Sequence, residues 1–269
     1  MNRYPDAFPP AWASAYGDDA YGLWAELTLG NATQRLRWIE PGTFLMGSED
    51  DVVASATGLE KPEHPVTLTH GYWLADTACT QAFWLAVVPG DNPSRLADDL
   101  NCPVEQISFE DIEDGFLPLL QAALGDAAQV QLPSEAQWEY ACRAGTQTAF
   151  AHGETVTLGQ VNCGDFSFEA VKTKQIGQIR KRTVPVASLP PNPWGLHEMH
   201  GNVWEWCRDG PRHYTPASTV DPEGALGMRR AVRGGSWIRD ALYARSAYRY
   251  WFHGNHPTAP MDAAPAVVC

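Results

Sequence analysis

Apolar and polar positions alternate through "RLRWIEPGTFLMGS" (35–48), and the alternation breaks at Pro41-Gly42. A period of two marks a strand with one buried face, so this stretch predicts strand, turn and strand. Alternation returns in "VTLTHGYWLADTACT" (66–80), which also predicts strand. The spacing becomes helical in "QAFWLAVV" (81–88) and stops at Pro89-Gly90. "SFEDIEDGFLPLLQAAL" (108–124) predicts an amphipathic helix, with Ser108 as cap and acids in its first turn. The strongest helix signal is "PSEAQWEYACRAG" (133–145). Ser134 is the cap, Gln137 stands three residues on as in a capping box, and Gly145 closes the helix.

Beyond residue 146 the periodicity fades and turn residues cluster in "PPNPWG", "DPEG" and "RGG". Long loops in a compact domain are usually functional, which directs attention to this half. Residues 1–30 are aromatic, proline-rich and acidic, and are expected as an extension packed on a domain spanning 31–269.

Composition narrows the function classes. With 269 residues, 44% apolar and 19% charged, the chain can bury a sizeable core. A net charge of -13 argues against nucleic-acid partners, because phosphate contacts need clustered Lys and Arg. The one basic run, 172–182, is expected as a solvated loop. No apolar run is long enough to span a membrane. The first residues lack the cationic start and apolar core of a leader, so a cytoplasmic location is expected, with display by another export route left open. The six cysteines have irregular spacing and no CxxC pair, as expected for small core residues rather than a disulfide framework or zinc site.

The most unusual short stretch is "GNVWEW" (201–206), in which Trp204 and Trp206 flank Glu205. Either it packs as a structural signature or it holds something. With "PGTFLMGS", "LPSEAQWEYACRAG", "PPNPWGLHEMH", "DPEG" and "VRGGSW", in that order, it resembles the formylglycine-generating enzyme (sulfatase-modifying factor) family. The resemblance implies an α+β, C-type-lectin-like fold, with a small antiparallel sheet, flanking helices and extensive ordered loops. It also implies a structural calcium ion held by the Glu198 and Glu205 side chains and the Gly201 and Val203 carbonyls, with Trp204 and Trp206 behind it. Oxygen ligands of this kind suit calcium. The alternative is that Glu205 only accepts N–H bonds within the loop.

The family's oxidase uses two copper-binding cysteines after the Gly-Gly-Ser-aromatic motif. The matching positions here are Arg239 and Ala244, and no cysteine lies between Cys207 and Cys269. Copper(I) needs soft thiolates, so no copper and no oxidase activity is expected. The iron-dependent sulfoxide synthases of the same family need a helical domain for which this chain has no room. His197 and His200 of "HEMH" are expected as hydrogen-bonded structure rather than metal ligands. No Gly-x-Ser-x-Gly elbow or phosphate loop occurs.

Residues 238–256, "IRDALYARSAYRYWFHGNH", combine Tyr, Trp, Phe and His with Asn and Gly, as paratopes do. For Trp237, Tyr248 and Trp251, burial in the core is an equal alternative. The frame "RGGSW" (233–237) and "ARSAYR" (244–249) resembles variable proteins of diversity-generating retroelements within the same fold family. That resemblance implies a non-catalytic binding protein whose variable region spans about 237–269. Its candidate contacts are Ile238, Arg239, Asp240, Leu242, Tyr243, Tyr248, Tyr250, Trp251, Phe252 and His253. The implied partner is an unidentified protein or other macromolecule; the alternative reading is a formylglycine-generating-type oxidase or related modifying enzyme. The family's closing Gly-Phe-Arg triplet is missing from "MDAAPAVVC" (261–269), which makes an altered final strand and an exposed Cys269 possible outcomes.

Overall fold

The computed structural model describes residues 2–49, 58–164 and 178–254, and the backbone of a short strand at 263–265. The strands in chain order are β1 (Ala15–Asp19), β2 (Gly22–Leu29), β3 (Ala32–Ile39), β4 (Gly42–Met46), β5 (His64–Leu68), β6 (Tyr72–Ala75), β7 (Trp204–Trp206), β8 (Thr219–Val220), β9 (Arg229–Arg233), β10 (Tyr250–His253) and β11 (Ala263–Pro265). Helix α1 is Gln81–Val87 and helix α3 is Glu135–Arg143. Between them, α2 begins as a π-turn, Asp111–Phe116, and continues as Leu117–Leu124.

The strands make three small sheets, ordered β1-β2-β3-β6, β10-β9-β7-β11 and β4-β5-β8. The architecture is α+β, as expected, but the single antiparallel sheet of the expectation is replaced by three. Two of them carry a parallel edge pair, β5 with β8 and β7 with β11. The chain reaches each of those edge strands from a distant segment, which is how a parallel neighbour arises.

The helix boundaries follow the capping signals. Ser134 Oγ accepts from Gln137 N at 3.1 Å while Gln137 Oε1 accepts from Ser134 N at 2.8 Å, so the capping box forms. Ser108 and Asp111 make the same reciprocal pair at the start of α2. Thr80 caps α1. The predicted strand-turn-strand at 35–48 contains both strands, but they do not pair. At Pro41-Gly42 the chain leaves the first sheet for the third, so β3 bonds β2 and β6 while β4 bonds β5. A Cβ at Gly42 would lie 2.2 Å from the Tyr140 hydroxyl, so a larger residue there would have to displace that side chain. The stretch 66–80 likewise divides at 69–71 into two strands of different sheets.

The N-terminal stretch expected as an extension also divides. Residues 2–14 lack regular structure and rest on the first sheet, where Phe8 stacks on Trp73 and Trp12 meets Trp73 edge-on. Residues 15–29 supply β1 and β2 of the sheet itself. At the other end, β11 pairs with β7 in the register Ala263↔Trp204, so a closing strand forms without the Gly-Phe-Arg triplet. His256, Cys269 and most of the basic run 172–182 lie outside the described residues.

Among the described residues three large apolar clusters form the core, with a small fourth of Ala78 and Val203. The first joins β2, β3, α1 and α2 through Leu27, Leu36, Phe83 and Phe116 to Trp204 and Trp206. The second gathers Met46, Val66, Leu74, Trp138 and Met199, and the third Phe150, Val156, Leu158, Val161 and Leu242. Cys79, Cys102, Cys142, Cys163 and Cys207 are all buried, consistent with small core residues. Among the described residues no helix is long and apolar enough to cross a membrane.

Candidate functional site

The Trp-Glu-Trp triplet is β7, and its alternation explains its composition. Successive side chains of a strand point to opposite faces. Trp204 and Trp206 therefore enter the first cluster, where Trp206 Nε1 donates to Ile107 O at 3.1 Å. Glu205 points the other way and accepts from Trp138 Nε1 on α3 at 2.7 Å. The strand is a wedge between two cores, with its carboxylate on the α3 side.

Apart from the half-buried Trp237, the residues of the "RGGSW…ARSAYR" frame are buried, and the frame is anchored by charge. Arg233 donates to Tyr248 O at 2.9 Å and Ser246 O at 2.8 Å, and also pairs with Glu139. One half of the frame thus holds the backbone of the other. Arg143 pairs with the same Glu139 at 2.8 Å. Burial would raise the Glu139 carboxyl, but Arg143 and Arg233 hold it below its ordinary range. Arg249 grips Glu135 through Nε at 2.8 Å and through Nη2, and its guanidinium lies 3.9 Å from the Tyr214 ring centre. Arg245 forks onto Glu60 at 2.9 and 2.7 Å. Buried ions are tolerated only when paired and hydrogen-bonded, and each of these is. Gly235 has φ +71°, and a Cβ there would lie 2.9 Å from the backbone at Tyr243 and Ala244, so the Gly-Gly step lets the two halves touch.

Among the anchors and beyond them the candidate contact residues separate into exposed, half-buried and buried groups. Ile238 (43% exposed), Arg239 and Tyr250 (41%) stand in solvent. Tyr243, Trp251, Phe252 and His253 are half-buried. Tyr250 and Phe252 sit on one side of β10, 4.9 Å apart, and Tyr243 packs edge-on against Tyr248 at the same separation. Trp251, on the other side of β10, packs on the second cluster and lies 5.0 Å from the Arg249 guanidinium. Leu242 and Tyr248 are corrections to the expected surface. Leu242 is 1% exposed because the 3-10 turn Ala241–Ala244 aims it into the third cluster. Tyr248 is 2% exposed, between Trp204 and Tyr243. Asp240 caps that turn by accepting from Leu242 N at 2.8 Å, so its carboxylate serves the loop.

The strand β9 adds residues that precede the "RGGSW" signature and were not among the sequence candidates. Arg229 lies opposite His253 and Arg230 opposite Phe252. Met228, whose carbonyl accepts from Gly254 N at 2.9 Å, is 69% exposed, and Leu226 is 77% exposed. The pairing of β9 with β10 brings Arg229 and Arg230 beside the aromatic strand, with Met228 at its end.

Of the expected calcium ligands, Glu205 lies on β7 and Glu198, Gly201 and Val203 in the preceding loop, which has unusual backbone. Glu198, Gly201 and Asn202 have φ of 50°, 91° and 65°. Glu198 accepts from Ala187 N at 2.9 Å and Leu189 N at 3.0 Å. Burial pushes its carboxyl up to about 7 against those two donors. Burial likewise pushes Glu205 up to about 7, with the Trp138 bond opposing and the Glu198 charge adding. Glu60, Glu135 and Glu139 have arginine partners; the contacts of Glu198 and Glu205 are N–H donors. The two carboxylates are close enough to repel, but among the described residues no group of three or more His, Cys, Asp or Glu side chains is placed to hold a metal ion.

The two histidines of "HEMH" are structural, as expected. His200 Nδ1 donates to Ala244 O at 2.7 Å and Nε2 accepts from Ala151 N at 3.0 Å, so both nitrogens are engaged with backbone. Burial holds its pKa down to about 3, leaving the ring neutral. His197 Nδ1 lies 2.9 Å from Leu189 O. Of the two positions matching the oxidase cysteines, Arg239 is exposed and Ala244 is buried.

Comparison with known proteins bears on the family and the fold. The family model for the sulfatase-modifying factor enzyme 1-like domain matches residues 28–261. Formylglycine-generating enzyme of Streptomyces coelicolor is 38% identical over 145 residues, covering 51% of this chain and 43% of that one. Serine/threonine-protein kinase pkn1 of Chlamydia caviae is 39% identical over 247 residues, covering 82% of this chain and 35% of that one. The chain thus spans less than half the length of either relative. The solved structure of Treponema denticola variable protein 1 superposes with a TM-score of 0.73 at 22% identity, covering 91% of this chain and 98% of that one. At that identity the likeness is one of fold, the C-type-lectin-like α+β fold. The chain belongs to the sulfatase-modifying factor enzyme 1-like family.

Proposed function

We propose that this protein is a non-catalytic ligand-binding protein that displays a sequence-variable face, of the kind found in diversity-generating retroelement variable proteins. One observation carries the reading: the three frame arginines are buried on Glu139, Glu60 and Glu135, whereas residues between and after them reach solvent. A scaffold clamped by buried ion pairs keeps its backbone when exposed side chains change. Preformed aromatic area then binds without a large ordering cost. The face consists of Ile238, Arg239, Tyr243, Tyr250, Phe252 and His253, extended by Met228 and Arg229. Its aromatic and cationic character suits a protein or other macromolecular partner with apolar and acidic groups.

The absence of cysteine from 208–268 supports the non-catalytic reading over an oxidase. In this reading Glu198 and Glu205 with the Gly201 and Val203 carbonyls would hold a calcium ion, whose role would be to neutralise two buried carboxylates.

The deciding experiment sequences the 3′ end of the gene from sibling isolates. Substitutions confined to the exposed codons of 238–253 are expected. Changes spread evenly over the gene, or copper-dependent oxygen consumption with a cysteine peptide, would reverse the conclusion.

A further inference from the structure

A cavity of about 770 Å³ opens where the N-terminal segment, the β1–β2 turn, the end of β3 and α3 meet. Its walls are aromatic: Tyr21, Trp38, Tyr140 and Trp194 all line it. Tyr140 and Trp194 meet edge-on with ring centres 4.8 Å apart, which fixes two of those walls at an angle. The acids Asp18 and Glu40 also line it, and the one cation among the lining residues is Arg3.

Two of the protein's own guanidinium groups already use these elements. Arg3 Nε donates to Glu40 Oε2 at 2.7 Å, and its backbone carbonyl accepts from Trp38 Nε1 at 2.8 Å. Arg37 lies 5.2 Å from the Tyr21 ring centre, paired with Asp19. Burial and then the Glu40 charge push the Tyr140 phenol up, so the hydroxyl stays neutral and its ring electron-rich. A cation over aromatic faces gains from the ring quadrupole, and more so with a carboxylate at hand. The chain's net charge of -13 adds long-range attraction for small cations.

From this we infer that the cavity is a binding site for a small organic cation, an alkylammonium or guanidinium group, held between the aromatic walls with its charge toward Glu40 and Asp18. Arg3 is an internal competitor that occupies Glu40 when no ligand is bound. The volume exceeds that of one such headgroup and leaves room for an attached chain. The site shares none of the residues proposed for the variable face, so the two stand or fall separately.

The test uses choline as probe and 3,3-dimethylbutanol as its neutral isostere, followed by saturation-transfer NMR and calorimetry on the full chain. Choline is expected to bind saturably and the isostere at least about tenfold more weakly. Tyr21→Ala and Glu40→Gln, both at solvent-accessible positions, are expected to weaken choline about three- to tenfold, and Arg3→Ala to tighten it. Tyr250→Ser, on the variable face, is expected to leave choline binding unchanged. Equal binding of choline and its isostere, no saturation, or indifference to both Tyr21→Ala and Glu40→Gln overturns the site. Circular dichroism of each variant identifies any that fails to fold, and Arg3→Ala, at an exposed side chain, remains informative in that event.

Discussion

Arg245 donates both terminal nitrogens to the two carboxylate oxygens of Glu60, a fork closed across 185 residues of sequence and buried from solvent. Removing one partner strands the other charge in the core. Arg245→Ala is therefore expected to destabilise the fold by about 3–5 kcal/mol, and the double change Arg245→Met, Glu60→Met to recover most of the loss. Chemical denaturation followed by circular dichroism measures both. A double variant as unstable as the single one would mean that the pair does more than satisfy itself.

The division of residues 238–253 into exposed and buried sets predicts opposite responses to mutation. Ile238→Ser and Tyr250→Ser are expected within about 0.5 kcal/mol of the parent stability. Leu242→Ala is expected to cost about 2–5 kcal/mol and Tyr248→Ala about 3–5 kcal/mol, since both leave cavities. Denaturant midpoints at constant slope would report this; equal losses at Ile238 and Leu242 would contradict the placement of the loop.

Glu198 and Glu205 each have a folded pKa of about 7, above the ordinary carboxylate value of about 4.5, from burial. The folded protein then binds more protons than the unfolded chain between those values. Its metal-free stability falls as pH rises from about 4.5 to about 7, by at most roughly 3 kcal/mol for Glu205. Calcium favours the ionised pair, so its stabilisation grows over the same window. Melting temperatures from pH 5 to 8, with calcium and with chelator, test this. A melting temperature insensitive to calcium throughout removes the ion from the proposal, and Glu205→Gln, isosteric and uncharged, is expected to abolish the calcium response.

Ser134→Ala removes one side of the capping box at α3, the helix that supplies Glu135 and Glu139 to the frame arginines. A loss of about 1 kcal/mol is expected, and Ser134→Asp, whose carboxylate also caps, is expected to avoid most of that loss. Amide hydrogen exchange at Gln137, whose N–H meets Ser134 Oγ, locates the effect.

What could be read along the chain was local or carried by motif. Capping residues marked the helix starts at Ser108 and Ser134, because a cap and its partner lie within three residues, while the cap at Thr80 emerged only with the structure. The Trp204-Glu205-Trp206 alternation and the ordered signatures identified the family and its fold, and the missing thiols at Arg239 and Ala244 were visible directly. Period-two patterning located β3 to β6 but could not show that the chain changes sheets at Gly42, since alternation reports a buried face and not the strand's neighbour. Tertiary structure alone decided which glutamate each frame arginine meets, because ion pairs spanning 94 to 185 residues leave no spacing to read. It also decided that Leu242 and Tyr248 face inward while Ile238 and Tyr250 face solvent: in an aperiodic loop, orientation is set by what packs beneath, and no repeat in the sequence encodes it.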